Sequence, residues 1–179
     1  MVLKEIQQDP VIDSRAPKGV RYEALVNEFY NDLFRYAYWL SKSKPVAEDL
    51  TQETFLRAWR SLDSLQNPAA AKAWLFTILR RENARLYERY RPQLDDIEDY
   101  SLAEPSKNEP DHSLEREMLH KAINKLDAEY KEPLILQVIG GFSGEEISNI
   151  LSLNSNTVMT RLFRARKKLQ QALSSEDSL

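Results

Sequence analysis

Between Ser155 and Leu173 the sequence reads SNTVMTRLFRARKKLQQAL. Five of these side chains are cationic, Arg161, Arg164, Arg166, Lys167 and Lys168, and none is acidic. Cations at this density suit a polyanion held through its phosphates. At about 100° per residue, Val158, Leu162, Ala165 and Leu169 share one apolar stripe. The opposite side carries Asn156, Thr160, Phe163, Arg164 and Lys167, flanked by Thr157, Met159 and Lys168. Its short polar side chains can approach base edges, while its arginines and lysines neutralise phosphates. A plain surface helix would carry similar charges, so the preceding residues matter. Ser143, Gly144, Glu145 and Glu146 have the form of a capping box that opens a short helix, EEISNIL. Leu153 and Asn154 then make a tight turn, with Asn154 suited to cap the basic helix. Two helices joined so closely predict a DNA-binding helix-turn-helix.

A second cationic stripe lies in KAWLFTILRRENARLYERYR, residues 72 to 91. Leu75, Ile78, Leu79 and Leu86 share a face expected in the core. Phe76, Arg80, Tyr87 and Arg91 lie together on another, with Lys72, Asn83 and Tyr90 at its edge. Rings alternating with arginines suit unpaired bases and their backbone, although rings at helical spacing suit a core equally. In AEDLTQETFLRAW, Ala47, Leu50, Thr54, Ala58 and Leu62 form an inward face. Asp49, Gln52, Glu53 and Arg60 point outward around Leu56. One exposed leucine is ordinary, yet one ringed by polar groups also suits a protein partner.

The elements that position these residues are helices. Periodicity predicts them at about 21–41, 45–61, 68–91, 113–127, 131–139, 144–152 and 155–173. The fold class is all-α: two small helical domains, 21–91 and 113–173, joined by a flexible acidic linker at 92–112. Residues 1–20 read as a flexible extension without the pattern of a secretion leader, and 174–179 as a tail. The linker holds seven acids, one lysine and three prolines, a net -6, leaving +3 for the rest of a chain whose total is -3.

Other chemistry has little to stand on. The chain has no cysteine and four glycines, none in a phosphate-cradling loop. His112 and His120 fall in acidic surroundings and read as surface residues rather than metal ligands. No nucleophile, base and orienter group together. No apolar run approaches the ~20 residues of a membrane span. The expectation is a cytoplasmic protein that is not an enzyme, needs no cofactor and makes no direct membrane contact.

Taken in order, these segments resemble the extracytoplasmic-function (ECF) sigma factors of bacterial RNA polymerase. AEDLTQETFLRAWRSL is similar to the family's region 2.2, KAWLFTILRRENARLYERYR to regions 2.3 and 2.4, and GGFSGEEISNILSLNSNTVMTRLFRARKKL to region 4.2. The resemblance covers about residues 21–91 and 113–173. It implies a sigma2-like three-helix bundle and a sigma4-like helix-turn-helix domain in a promoter-specific initiation factor. It also implies that Asp49, Gln52, Glu53 and Leu56, with Arg60, bind the β′ clamp of core polymerase, and that the second domain meets the β flap. The loop Leu65–Lys72 matches the one that captures a flipped base of the −10 element. The implied −10 set is Asn67, Lys72, Trp74, Phe76, Arg80, Asn83, Tyr87 and Arg91. The implied −35 set is Asn156, Thr157, Thr160, Arg161, Phe163, Arg164, Lys167 and Lys168. An anti-sigma factor is the implied regulator.

The sequence departs from the family at two places. Met159 stands where Lys or Arg is usual, and the −10 loop, LQNPAAAK, is rich in alanine. The rival reading is a dimeric helix-turn-helix regulator on palindromic half-sites. No heptad offers it a dimer seam, so the free chain is expected to be a monomer. The 21 linker residues reach at most about 70 Å. That spans about 20 base pairs, enough to bridge two elements of one promoter.

Overall fold

In the computed structural model, which describes residues 12–90 and 113–176, every regular element is helical. The chain divides into two units. The acidic stretch 92–112 with His112, residues 1–11, Arg91 and residues 177–179 lie outside the described residues. None of the described helices is long and apolar enough to cross a membrane.

The first unit packs three helices: α1, Lys18–Ser41; α2, Lys44–Ser61; and α3, Ala71–Tyr90. Leu25, Phe29, Leu33, Tyr36 and Ala37 of α1 bury against Ala47, Leu50, Phe55 and Ala58 of α2 and Ala71, Leu75, Phe76 and Leu79 of α3. The α1–α2 corner turns at Lys42, whose left-handed backbone (φ 56°) lets its N–H donate to Tyr38 O at 2.8 Å. Pro45 then occupies the first turn of α2, where no helical N–H is lost. Thr51 and Thr54 are wholly buried without an unmet polar group, because their hydroxyls donate to Ala47 O and Leu50 O at 2.7 Å. Short 3₁₀ turns at Leu62–Ser64 and Pro68–Ala70 lead into α3. α1 opens three residues before the expected start, after Pro17, and Ile12 ahead of it is buried. An Asp13 turn, accepting from the Arg15 and Ala16 amides, orders this lead-in that the sequence reading took as an extension.

The second unit holds α4, Ser113–Asn124; α5, Ala128–Gly140; α6, Gly144–Leu151; and α7, Ser155–Glu176. All three of its other helices pack on α7. Ile147, Val158, Leu162 and Ala165 are at its centre, with Leu134, Leu136, Ile139 and Ile150 around them. α5 begins at Ala128, earlier than expected, and carries the buried Pro133 inside it. The α5–α6 turn needs both its glycines. Gly141 takes φ 68°, which L side chains resist. A Cβ on Gly140 would stand 2.3 Å from the ring of Phe142, which is buried beneath the turn.

Candidate nucleic-acid interfaces

The basic helix α7 is set by its entry. Ser143 Oγ accepts from the Glu146 amide at 3.2 Å and the Glu146 carboxylate accepts from the Ser143 amide at 2.8 Å, closing the capping box on α6. Ser152 takes a left-handed backbone (φ 54°) to end α6. Asn154 then caps α7, its Oδ1 accepting from the Asn156 amide at 2.8 Å. This entry leaves Val158, Leu162 and Ala165 inward, with Leu169 half-buried, and turns Asn156, Thr160, Phe163, Arg164 and Lys167 to solvent. Thr157 is half-buried beside them. The exposed Thr160 hydroxyl donates to Asn156 O at 2.9 Å, which leaves it able to accept.

Not every cation of this helix is available. Lys168 donates to Asp127 at 2.9 Å and lies 4.7 Å from the centre of the Tyr130 ring. The hydrogen bond with Lys168 holds the Asp127 carboxyl below the usual carboxylate range, and Asp127 in turn raises the Lys168 ammonium. Arg161 is drawn toward Glu129 at 3.6 Å, and Arg166 donates to the Gln137 side chain. The sequence placed Arg161 and Lys168 among the phosphate and base contacts. The fold turns both toward the acids at the start of α5. Among the described residues Arg164, Arg166 and Lys167 make no ion pair, so the outward charge of α7 lies on them, with Arg166 tied to the neutral Gln137 amide and Arg164 and Lys167 on the outward face.

The aromatic stripe of α3 is corrected more deeply. Phe76 is fully buried, stacked on Tyr36 with ring centres 5.1 Å apart, so it offers no surface to a base. Lys72 pairs with Asp32 at 3.0 Å. Arg80 and Asn83 are half-buried, and the Asn83 carbonyl oxygen is enclosed without a hydrogen-bond partner. Tyr87 is exposed and its hydroxyl donates to Leu40 O at 3.4 Å. Asn67 is exposed, with its Oδ1 accepting from the Ala69 amide at 3.1 Å. Ile78 and Leu86, expected in the core, are half-buried.

Trp74 faces the other way. With Arg57, Arg60 and Ser61 of α2 and Ile78, Arg81, Glu82 and Arg85 of α3 it lines an open cleft of about 390 Å³. Glu82 is buried at its floor. Arg57 Nε lies 2.7 Å from its carboxylate and 3.0 Å from that of Glu53, at angles that make ion pairs rather than hydrogen bonds. Arg85 donates to Glu82 at 2.8 Å. Arg60 and Arg81 are exposed. Four arginines and an indole thus line one cleft, two of the arginines, Arg57 and Arg85, paired with the Glu82 carboxylate. The i,i+4 pair Arg81 and Arg85 is visible in the sequence, but its meaning depends on Arg57 and Arg60 arriving from α2.

The outward face of α2 carries Asp49, Gln52 and Arg60 exposed, Glu53 half-buried in its pair with Arg57, and Leu56 50% exposed. Trp59 is 41% exposed beside it, with its ring 5.1 Å from Tyr22. The sequence reading had passed over Trp59. Among the described residues no group of three or more His, Asp or Glu side chains converges as a metal site.

Comparison with known proteins matches the pattern of two helical units. Residues 25–93 match the family model of Sigma-70 region 2, and residues 116–169 that of Sigma-70, region 4. The chain is 32% identical to the RNA polymerase sigma factor SigV of Bacillus subtilis over 152 residues, 85% of this chain and 90% of that one. It is 39% identical over 140 residues to the ECF RNA polymerase sigma factor EcfG of Rhodopseudomonas palustris, covering 77% of each. Among solved structures it is similar to the sigma factor RpoE of Bartonella quintana in complex with the anti-sigma factor NepR. There the TM-score is 0.72 and the identity 32%, over 86% of this chain and 96% of that one. It is also similar to CnrH in complex with the cytosolic domain of CnrY, at a TM-score of 0.63 and 27% identity, covering 87% and 88%.

Proposed function

The chain belongs to the sigma-70 family of RNA polymerase sigma factors, in its extracytoplasmic-function branch, and from that premise we propose how its units divide the work on a promoter. It is a transcription initiation factor that binds core RNA polymerase and directs it to specific promoters. In our reading it makes and breaks no covalent bond itself, and acts in the cytoplasm, where polymerase works.

α7 enters the major groove of the −35 element. Its N-terminal half meets base edges, and Arg164 and Lys167 meet base and phosphate. The first unit takes the −10 element once it opens. The cleft of Arg57, Arg60, Arg81 and Arg85 suits the backbone of an unpaired strand, and Trp74 suits a stacked base. The loop Leu65–Lys72, with Asn67, receives the flipped base, and Arg80, Asn83 and Tyr87 border the strand. Leu56, with Asp49, Gln52 and Glu53, docks on the β′ clamp, and the second unit meets the β flap. An anti-sigma factor controls the chain, as the anti-sigma factor NepR accompanies the similar sigma factor RpoE.

The observation that carries this reading is the exposed face of α7, with Arg164 and Lys167, which make no ion pair among the described residues, held outward by two successive helix caps. Run-off transcription with purified core polymerase on promoter fragments tests it, and addition of this chain should produce specific start sites. Leu56→Asp changes a half-exposed side chain, so the fold should survive with core binding lost. Pull-down of polymerase by that variant at the level of the unsubstituted chain would refute the clamp assignment.

A further inference from the structure

Met159 is a large apolar side chain on the face of α7 assigned to DNA. It is 56% exposed, and Phe163, one turn on, is 66% exposed. Around them stand Asn156, Thr160 and Arg164, all exposed. A thioether is at best a weak hydrogen-bond acceptor, so Met159 is poorly suited to reading the donors and acceptors of base edges. The apolar group that base edges present in the major groove is the thymine 5-methyl.

A second observation shows that the fold makes room for this side chain. Its Sδ reaches back across the helix-turn-helix to Gly144, the first residue of α6, and lies 2.9 Å from where a Cβ on that glycine would stand. No real Cβ tolerates that approach, so an alanine at 144 would push the thioether aside. Gly144 has no positive φ to require a glycine. The space it leaves is occupied by Met159.

We propose that Met159 is a specificity-determining residue that seats on a thymine 5-methyl in the −35 element, with Gly144 as the positioning residue that leaves its thioether room. The assignment rests on the −35 role of α7 and adds to it the chemistry of one base pair. Covering one methyl group changes an equilibrium by about fourfold. The same contact is lost at any base pair that presents no methyl at that point.

The test uses holoenzyme reconstituted from core polymerase and the full chain. Each −35 thymine, on either strand, is replaced in turn by uracil, which keeps every hydrogen-bonding group and removes only the methyl. One replacement should lower initiation about fourfold. Met159→Ala should abolish that difference, and Gly144→Ala should shrink it, although residue 144 touches no base. Arg164→Ala should lower initiation on both templates while leaving their ratio intact. Equal rates on every thymine and uracil pair, or a difference that survives Met159→Ala, overturn the proposal. A full difference in Gly144→Ala overturns the positioning role. Scrambling the whole −35 element separates the two levels of the argument: initiation indifferent to the scramble overturns the −35 role of α7 and the methyl contact with it.

Discussion

Arg161 and Arg164 stand three residues apart on one helix, yet their surroundings give them different work. Arg161 is drawn to Glu129 at 3.6 Å, whereas Arg164 is exposed and makes no ion pair among the described residues. Arg164→Ala should therefore weaken −35 recognition by about 1 to 3 kcal/mol, or roughly five- to 150-fold in initiation from a −35-dependent promoter. Arg161→Ala should leave the −35 preference in place and cost about 0.2 to 1 kcal/mol of stability, the range of a surface ion pair, here a half-exposed one at 3.6 Å. Rates measured on a panel of −35 variants check both, and equal losses of preference would contradict the division. The sequence reading placed both arginines in one set because periodicity assigns a face, not a partner. Asp127 and Glu129, which hold Lys168 and Arg161, come from another helix. For the same reason Phe76 was legible as a regularly spaced ring but not as the buried partner of Tyr36. Trp74, which the resemblance placed in the −10 set, lines a cleft whose other wall, Arg57 and Arg60, comes from α2 and is not legible from the spacing in α3.

Elements were legible where their ends carry side-chain chemistry. The α6 capping box and the Asn154 cap could be read from residue types, and both hydrogen-bond patterns are present. The starts of α1 and α5 were read too late: Pro17 has no capping side chain, and Asp127, a capping residue type, turns its carboxylate to Lys168 instead of the α5 amides. The logic of the α5–α6 turn lies in Phe142, whose buried ring fills the space a Cβ on Gly140 would take, a contact that residue types alone do not announce. These turns have a rank of importance that experiment can order. Ser143→Ala removes one cap and should cost about 0.5 to 2 kcal/mol. Gly140→Ala forces a side-chain atom into an aromatic ring in the core and should cost about 1 to 3 kcal/mol. Amide hydrogen exchange in α6 of the full chain reads both losses. Protection unchanged in Gly140→Ala would show that Phe142 leaves its pocket freely. Because these turns aim α7, each variant should also lower −35-dependent initiation beyond its effect on core binding.

At the scale of the whole molecule, the distribution of charge decides when the cationic faces work. The chain carries a net -3, although the residues outside 92–112 sum to +3. A polyanion approaching the free chain meets acids as well as the α7 and cleft arginines, and phosphate contacts dominate affinity for DNA. With Arg161 and Lys168 already paired inside the second unit, α7 offers few unneutralised cations, and each phosphate contact contributes only modestly at physiological salt. Recognition of −35 and −10 together then requires core polymerase to hold the two units at the proper spacing, which converts two weak contacts into one joint event. The expected result is a gel shift on promoter DNA that is weak and indifferent to sequence for the isolated chain, and specific once core polymerase is added. Raising the salt from about 50 to 200 mM should abolish the former before the latter. Tight, promoter-specific retention by the isolated chain at physiological salt would contradict this dependence and would return the dimeric-regulator reading to contention, since only a second copy would then supply the missing contacts.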